Sequence, residues 1–155
     1  MQKSSTEKGT IRIANKIFFK EVIELLSSGN DVLFTINGNS MRPFLSHGDK
    51  VLISPINEKN ITFGKIILAN SNYGYVLHRL VWRSEKYIWL TGDNNLIQVE
   101  KIDKTHIIGY VKYAENDGYK IDVNSFVQLF FAFTWFFLRP FRLLIFKLKR
   151  IFRLK

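Results

Sequence analysis

Between Val32 and Val123 the chain is cut into short apolar runs closed by polar turns, and this limits the possible folds more than any other feature. The runs are Val32–Ile36, Lys50–Ile53, Lys65–Ala69, Tyr75–Trp82, Lys86–Thr91, Ile107–Tyr113 and Tyr119–Val123. A period of two sends alternate side chains to opposite faces of a strand, so runs of this length read as strands. Asn70-Ser71-Asn72-Tyr73-Gly74 and Glu115-Asn116-Asp117-Gly118 are the clearest turns between them. Many short strands with little helix between them describe a mostly β, antiparallel domain.

Helical patterns flank this region. From Ile11 to Ser28 the residues Ile13, Ala14, Ile17, Phe18, Val22, Leu25 and Leu26 recur at helical spacing, and Gly29-Asn30 suits a C-terminal stop. This amphipathic helix is expected to pack its stripe on the domain. Met1–Lys8 is polar with no apolar run behind it, which predicts neither a cleavable leader nor an N-terminal anchor.

At the other end, Phe126–Leu138 is apolar except for Gln128 and Thr134. It is shorter than the roughly 20 residues that a spanning helix needs. Extension to Phe146 takes in Arg139, Pro140 and Arg142. From Phe141 onward the pattern becomes basic and amphipathic, with Leu144, Ile145, Leu148, Ile151 and Phe152 set against Lys147, Lys149, Arg150 and Arg153. Seven cations and no anion fall between Phe126 and Lys155, so the tail carries most of the net charge of +10. A helix lying in the interface of an anionic membrane fits this pattern. A core helix or an oligomer contact are the alternatives for the aromatic half. Nucleic acid is disfavoured, because the cations are interleaved with bulky aliphatics that need a nonpolar partner.

The chain of 155 residues then divides into 1–30 (polar tail and helix), 31–124 (one β domain) and 125–155 (the hydrophobic and basic segment). The absence of cysteine excludes disulfides, thiolate metal sites and a cysteine nucleophile. His47, His78 and His106 lack partners at metal-ligand spacing, and there is no glycine-rich phosphate loop or dinucleotide fingerprint. No metal and no cofactor is expected.

Gly38-Asn39-Ser40-Met41-Arg42-Pro43 stands between the first two apolar runs, with Gly48-Asp49-Lys50 close behind. Ser40 should therefore be presented where one strand ends and another begins. Gly38 permits backbone that a Cβ forbids, and Pro43 stiffens the exit. Together with His78-Arg79 and Gly92-Asp93-Asn94-Asn95, this order of boxes resembles the signal peptidase and LexA-like serine peptidases over Val32–Val111. Most bacterial signal peptidases carry lysine where this chain has His78, and histidine is similar to the endoplasmic-reticulum and archaeal branch.

The resemblance implies a LexA- and signal-peptidase-like β fold, with Ser40 as nucleophile and His78 as base. A serine hydroxyl needs such a base, and neutral imidazole accepts its proton near pH 7 without drastic retuning. Alternation places Val76, His78, Leu80 and Trp82 on one face. Asp93 fits the third box and is expected either to orient the imidazole or to serve its own turn. Members with histidine tend to carry a further aspartate beyond this box. Here Leu96-Ile97-Gln98-Val99-Glu100 follows without one, and Asp103 is a weak substitute. The oxyanion donors are expected to be the Ser40 N–H and a second from the Gly38-Asn39 turn or the Asn39 amide. Met41 and Pro43 either shape the substrate groove or pack the corner, and Asp49 is assigned structure.

The expected function is a serine endopeptidase that cleaves a secreted precursor or leader peptide at a membrane. Its substrate would bind in extended form with small side chains beside the scissile bond. The alternative is a non-catalytic LexA-like binding or scaffold module held at a membrane. A DNA-binding repressor is disfavoured, because the short stretch before Ser40 holds one convincing helix. A peripheral position on the cytoplasmic side is expected, the alternative being a single span at Phe126–Phe146 with the domain outside.

Overall fold

The computed structural model describes residues 17–152. Residues 17–27 form helix α1, and the expected start of this helix at residues 11–16 lies outside the described residues. The strands are β1 (Val32–Thr35), β2 (Lys50–Pro55), β3 (Ile66–Ser71), β4 (Gly74–Arg83), β5 (Tyr87–Thr91), β6 (Glu100–Asp103), β7 (Ile107–Asn116) and β8 (Tyr119–Ile121). Two helices follow, α2 (Phe126–Phe137) and α3 (Arg139–Phe152). The strands pair antiparallel in the order β1-β2-β7-β3-β4-β5-β6, with β8 on β7. The mostly β, antiparallel class is therefore the observed one.

Two apolar clusters form the core. The first joins Val22 and Leu26 of α1 to Val51, Ile53, Leu68 and Val111, as the helical stripe requires. The second contains Ile67, Ala69, Leu80, Ile88, Leu90 and Ile102. Strand β3 feeds both, with Ile66 and Leu68 in one and Ile67 and Ala69 in the other. Covered on both faces, it reads as an unbroken apolar run rather than an alternating one.

Two local expectations change. Strand β6 is not among the expected runs, because its four residues, Glu-Lys-Ile-Asp, hold one hydrophobe. In β4 the register slips between Leu80 and Trp82, so Leu80 opposes Leu90 whereas Trp82 opposes Trp89. One extra residue in a strand inverts the facing of everything beyond it. Trp82 accordingly leaves the face of His78 and Leu80 and is 67% exposed.

The C-terminal helices lie against the β domain. Ser125 caps α2 by accepting from the Gln128 N–H. Ala132 is buried, Leu129 lies over Gly64, and the Phe63 and Phe133 rings meet edge to face at 5.7 Å. Among the described residues no single helix is long and apolar enough to cross a membrane, and α2 and α3 meet at a bend of 51°.

Candidate active site

The serine corner is built within residues 36–49, between β1 and β2. Gly38 has φ +140°, in the region that side-chain-bearing residues rarely occupy. Met41 and Leu45 are buried in the first cluster and pin the corner, which leaves Ser40 half-buried at its edge. Asp49 closes the loop as a structural residue, since its carboxylate accepts the Ser46 N–H at 2.7 Å and the side-chain amide of Asn116.

His78 is brought to Ser40 by β4, with Nε2 3.1 Å from the serine Oγ. Its Nδ1 lies 2.6 Å from Oε2 of Glu100, and both side chains are 8% exposed. An ionised carboxylate can only accept, so Nδ1 carries the proton and Nε2 presents its lone pair to the serine hydroxyl. Glu100 is itself fixed, because Gln98 Nε2 donates to its other oxygen at 2.9 Å.

Sheet register explains how Glu100 reaches a histidine 22 residues away. Leu80 on β4 opposes Leu90 on β5, which opposes Glu100 on β6, so these three share a row and a face. His78 is two residues before Leu80 and points the same way. The intervening chain has left its strand by then, and at Gly92 a Cβ would come within 2.6 Å of the Ser40 carbonyl oxygen. The bare backbone at Gly92 lets the loop of residues 92–95 lie directly on the serine corner, where Asn94 N–H donates to Ser40 O at 2.8 Å.

Asp93 does not orient the imidazole. Arg79 takes both of its carboxylate oxygens, Nε to Oδ1 at 2.8 Å and an Nη to Oδ2 at 2.7 Å. Alternation points Arg79 away from the face of His78, and its cross-strand partner Thr91 ends β5 just before the turn that carries Asp93. A planar guanidinium on a carboxylate in this bidentate manner makes a strong, directional pair. Arg79 also donates to Gly64 O and lies over the Phe44 ring. Asp103 stands apart, capping a short 3₁₀ turn, and the Thr105 N–H and hydroxyl hold its carboxyl below the usual carboxylate range.

A cavity of about 320 Å³ opens beside the pair, with Ser40, His78, Gly38 and Met41 in its lining. Asn39 and Pro43 are exposed and do not line it. Helix α1 adds a wall that its helical pattern did not announce, since Phe19 stacks on Tyr75 with centroids 4.0 Å apart. Glu100 is the other residue missed. The only sequence signal for it is an acid two residues before Ile102 in a short alternating run.

A family model described as Peptidase S24-like matches residues 2–112. That range holds Ser40, His78, Asp93 and Glu100 and ends within β7, so α2 and α3 lie beyond it. No curated protein matches the chain at a significant level.

Proposed function

Because the chain belongs to the Peptidase S24-like family, we propose that it is a serine endopeptidase with Ser40 as nucleophile, His78 as general base and Glu100 as the orienting carboxylate. The observation that carries this reading is the line from buried Glu100 through buried His78 to half-buried Ser40, at 2.6 and 3.1 Å. As Ser40 Oγ bonds to the scissile carbonyl carbon, its proton passes to His78 Nε2, and Glu100 stabilises the imidazolium that forms. The C–N bond then breaks with that proton going to the leaving amine. Water adds to the acyl-enzyme by the same relay in reverse and frees Ser40. The Ser40 N–H has no acceptor among the described residues and points this reading to an oxyanion donor, with a second from the turn at Gly38-Asn39.

The substrate in this reading is a secreted precursor or leader peptide, bound extended along the groove with an apolar side chain in the cavity beside Ser40. Histidine as base favours the signal-peptidase-like branch that uses it. The tail supports action at an anionic membrane. Phe126, Phe130, Phe131, Phe141 and Ile151 are exposed, and α3 carries Lys147, Lys149 and Arg150 with no acidic residue. Neither α2 nor α3 is long and apolar enough to span by itself, and the two reach the length and composition of a span only together, across the 51° bend; in this reading the attachment is peripheral and on the cytoplasmic side.

A fluorophosphonate probe tests the chemistry. It should label the full chain on Ser40 and fail to label Ser40→Ala or His78→Ala. Labelling that survives in His78→Ala at the wild-type rate would sink the assignment.

A further inference from the structure

We propose that Trp135 and Arg139, on the C-terminal helices, are positioning residues that hold both the nucleophile and the carboxylate of the candidate site in place. The proposal rests on Ser40 acting as the nucleophile, and it extends the machinery beyond the region matched by the family.

Two hydrogen-bonded paths leave the helices. In the first, Trp135 Nε1 donates to Asp93 O at 2.9 Å, and an Nη of Arg139 donates to Gly92 O at 3.0 Å. Arg142 adds a longer bond to Asp93 O at 3.3 Å. The next residue, Asn94, donates its N–H to Ser40 O at 2.8 Å, so the helices hold the short loop that holds the serine backbone. In the second path the same Nη of Arg139 donates to the Thr91 hydroxyl. Thr91 Oγ1 in turn donates to Gln98 O at 2.8 Å, and the Gln98 amide donates to Glu100 Oε1, leaving Oε2 for His78. One guanidinium is thus linked to Ser40 through the main chain and to His78 through the Thr91 hydroxyl, the carbonyl and side-chain amide of Gln98, and the Glu100 carboxylate.

Docking alone does not require these polar bonds. Leu129 and Ala132 already pack α2 on the domain. Burial of Arg139 and Arg142 disfavours their charged forms and pushes both guanidinium groups below their ordinary range, with nearby Asp93 opposing this. Against that cost the structure gains directional contacts on carbonyls of one particular loop. The donors are also braced, with Arg142 3.9 Å over the Trp135 ring and Arg139 4.7 Å over Phe136. Reacting groups tolerate little displacement, and a shift on the order of 1 Å is enough to cost ~100-fold in rate.

The test uses the full chain and three variants: Arg139→Ala, Arg139→Lys and Trp135→Phe, the last keeping a ring while losing the donor. Three readouts are taken: the second-order rate of Ser40 labelling by a small fluorophosphonate and hydrogen exchange of the Asn94 amide, both below the melting temperature, and the melting temperature itself. Arg139→Ala should slow labelling by ~10-fold or more and lower Asn94 protection, consistent with a displaced loop. Arg139→Lys should recover part of both, and Trp135→Phe should show the same pair of effects more weakly. A fall in melting temperature with labelling and Asn94 protection unchanged would overturn the proposal and leave the two residues as packing. If Arg139→Ala does not fold, Trp135→Phe decides by the same criteria. Absence of labelling in the unmodified chain would refute Ser40 as nucleophile before any variant is made. Asn94 exchange then judges the clamp alone, unchanged protection overturning it and lost protection upholding it.

Discussion

Glu100 Oε2 and His78 Nδ1 stand 2.6 Å apart although two strand positions separate β4 from β6 in the sheet. Buried together, the two side chains form the half of the candidate site that decides the state of the imidazole. Glu100→Gln keeps the size and an acceptor but removes the charge that stabilises imidazolium. The rate should fall by about 10²–10⁴, as loss of the orienting carboxylate does elsewhere. The rate of Ser40 labelling at one fixed pH measures the effect.

Ser40→Ala and His78→Ala should each reduce cleavage of a peptide substrate by roughly 10³-fold or more, and the double variant should be no worse than the poorer single one. The non-additivity follows from a single proton transfer between atoms 3.1 Å apart. Independent, multiplying losses in single-turnover assays would contradict the assignment.

Asp93 should behave as a structural residue. Its partner Arg79 is 4% exposed, so Asp93→Ala leaves a buried guanidinium without its carboxylate and should destabilise the fold by about 3–5 kcal/mol. The milder Asp93→Asn should slow Ser40 labelling far less than Glu100→Gln does. Denaturant melts together with the labelling rate separate this from the Glu100 effect.

Gly92→Ala places a Cβ 2.6 Å from the Ser40 carbonyl oxygen and 3.0 Å from the Asn95 side-chain amide. The loop must move, at a cost of about 1–3 kcal/mol typical of overpacking. Because it moves against the serine itself, labelling of Ser40 in the folded fraction should fall as well. Thermal melts and labelling rates on one sample distinguish the two losses.

The tail should have two separable roles. A chain ending at Asn124 exposes the surface covered by Leu129, Ala132 and Trp135, and it should melt lower and self-associate on size exclusion. Reversing Lys147, Lys149 and Arg150 to glutamate on exposed α3 should leave the fold intact. It should also weaken cosedimentation with phosphatidylglycerol vesicles, an effect that added salt reproduces in the unmodified chain. Equal sedimentation of the charge-reversed and unmodified chains at low salt would remove anionic lipid as the partner.

What the sequence determined by itself is local. Alternating runs, and for β3 an unbroken apolar one, located β1 to β5, β7 and β8 nearly to their ends, because burial of one face, or of both in β3, is written residue by residue. The glycine at position 38 marked the corner that presents Ser40, and the ordered boxes paired it with His78, whereas only the structure showed Met41 buried as its anchor. Tertiary structure decided the rest. Which carboxylate meets His78 depends on register across β4, β5 and β6, where alternation turns His78 and Glu100 to one face and Arg79 to the other, to meet Asp93 from the turn after β5. A one-residue bulge moved Trp82 off the expected face, and a C-terminal segment legible only as apolar and then basic proved to aim an indole N–H and two guanidinium groups at the loop beside the serine. Periodicity reports that a side chain is buried, but the groups it meets are fixed by strand pairing and helix docking between residues far apart in the chain.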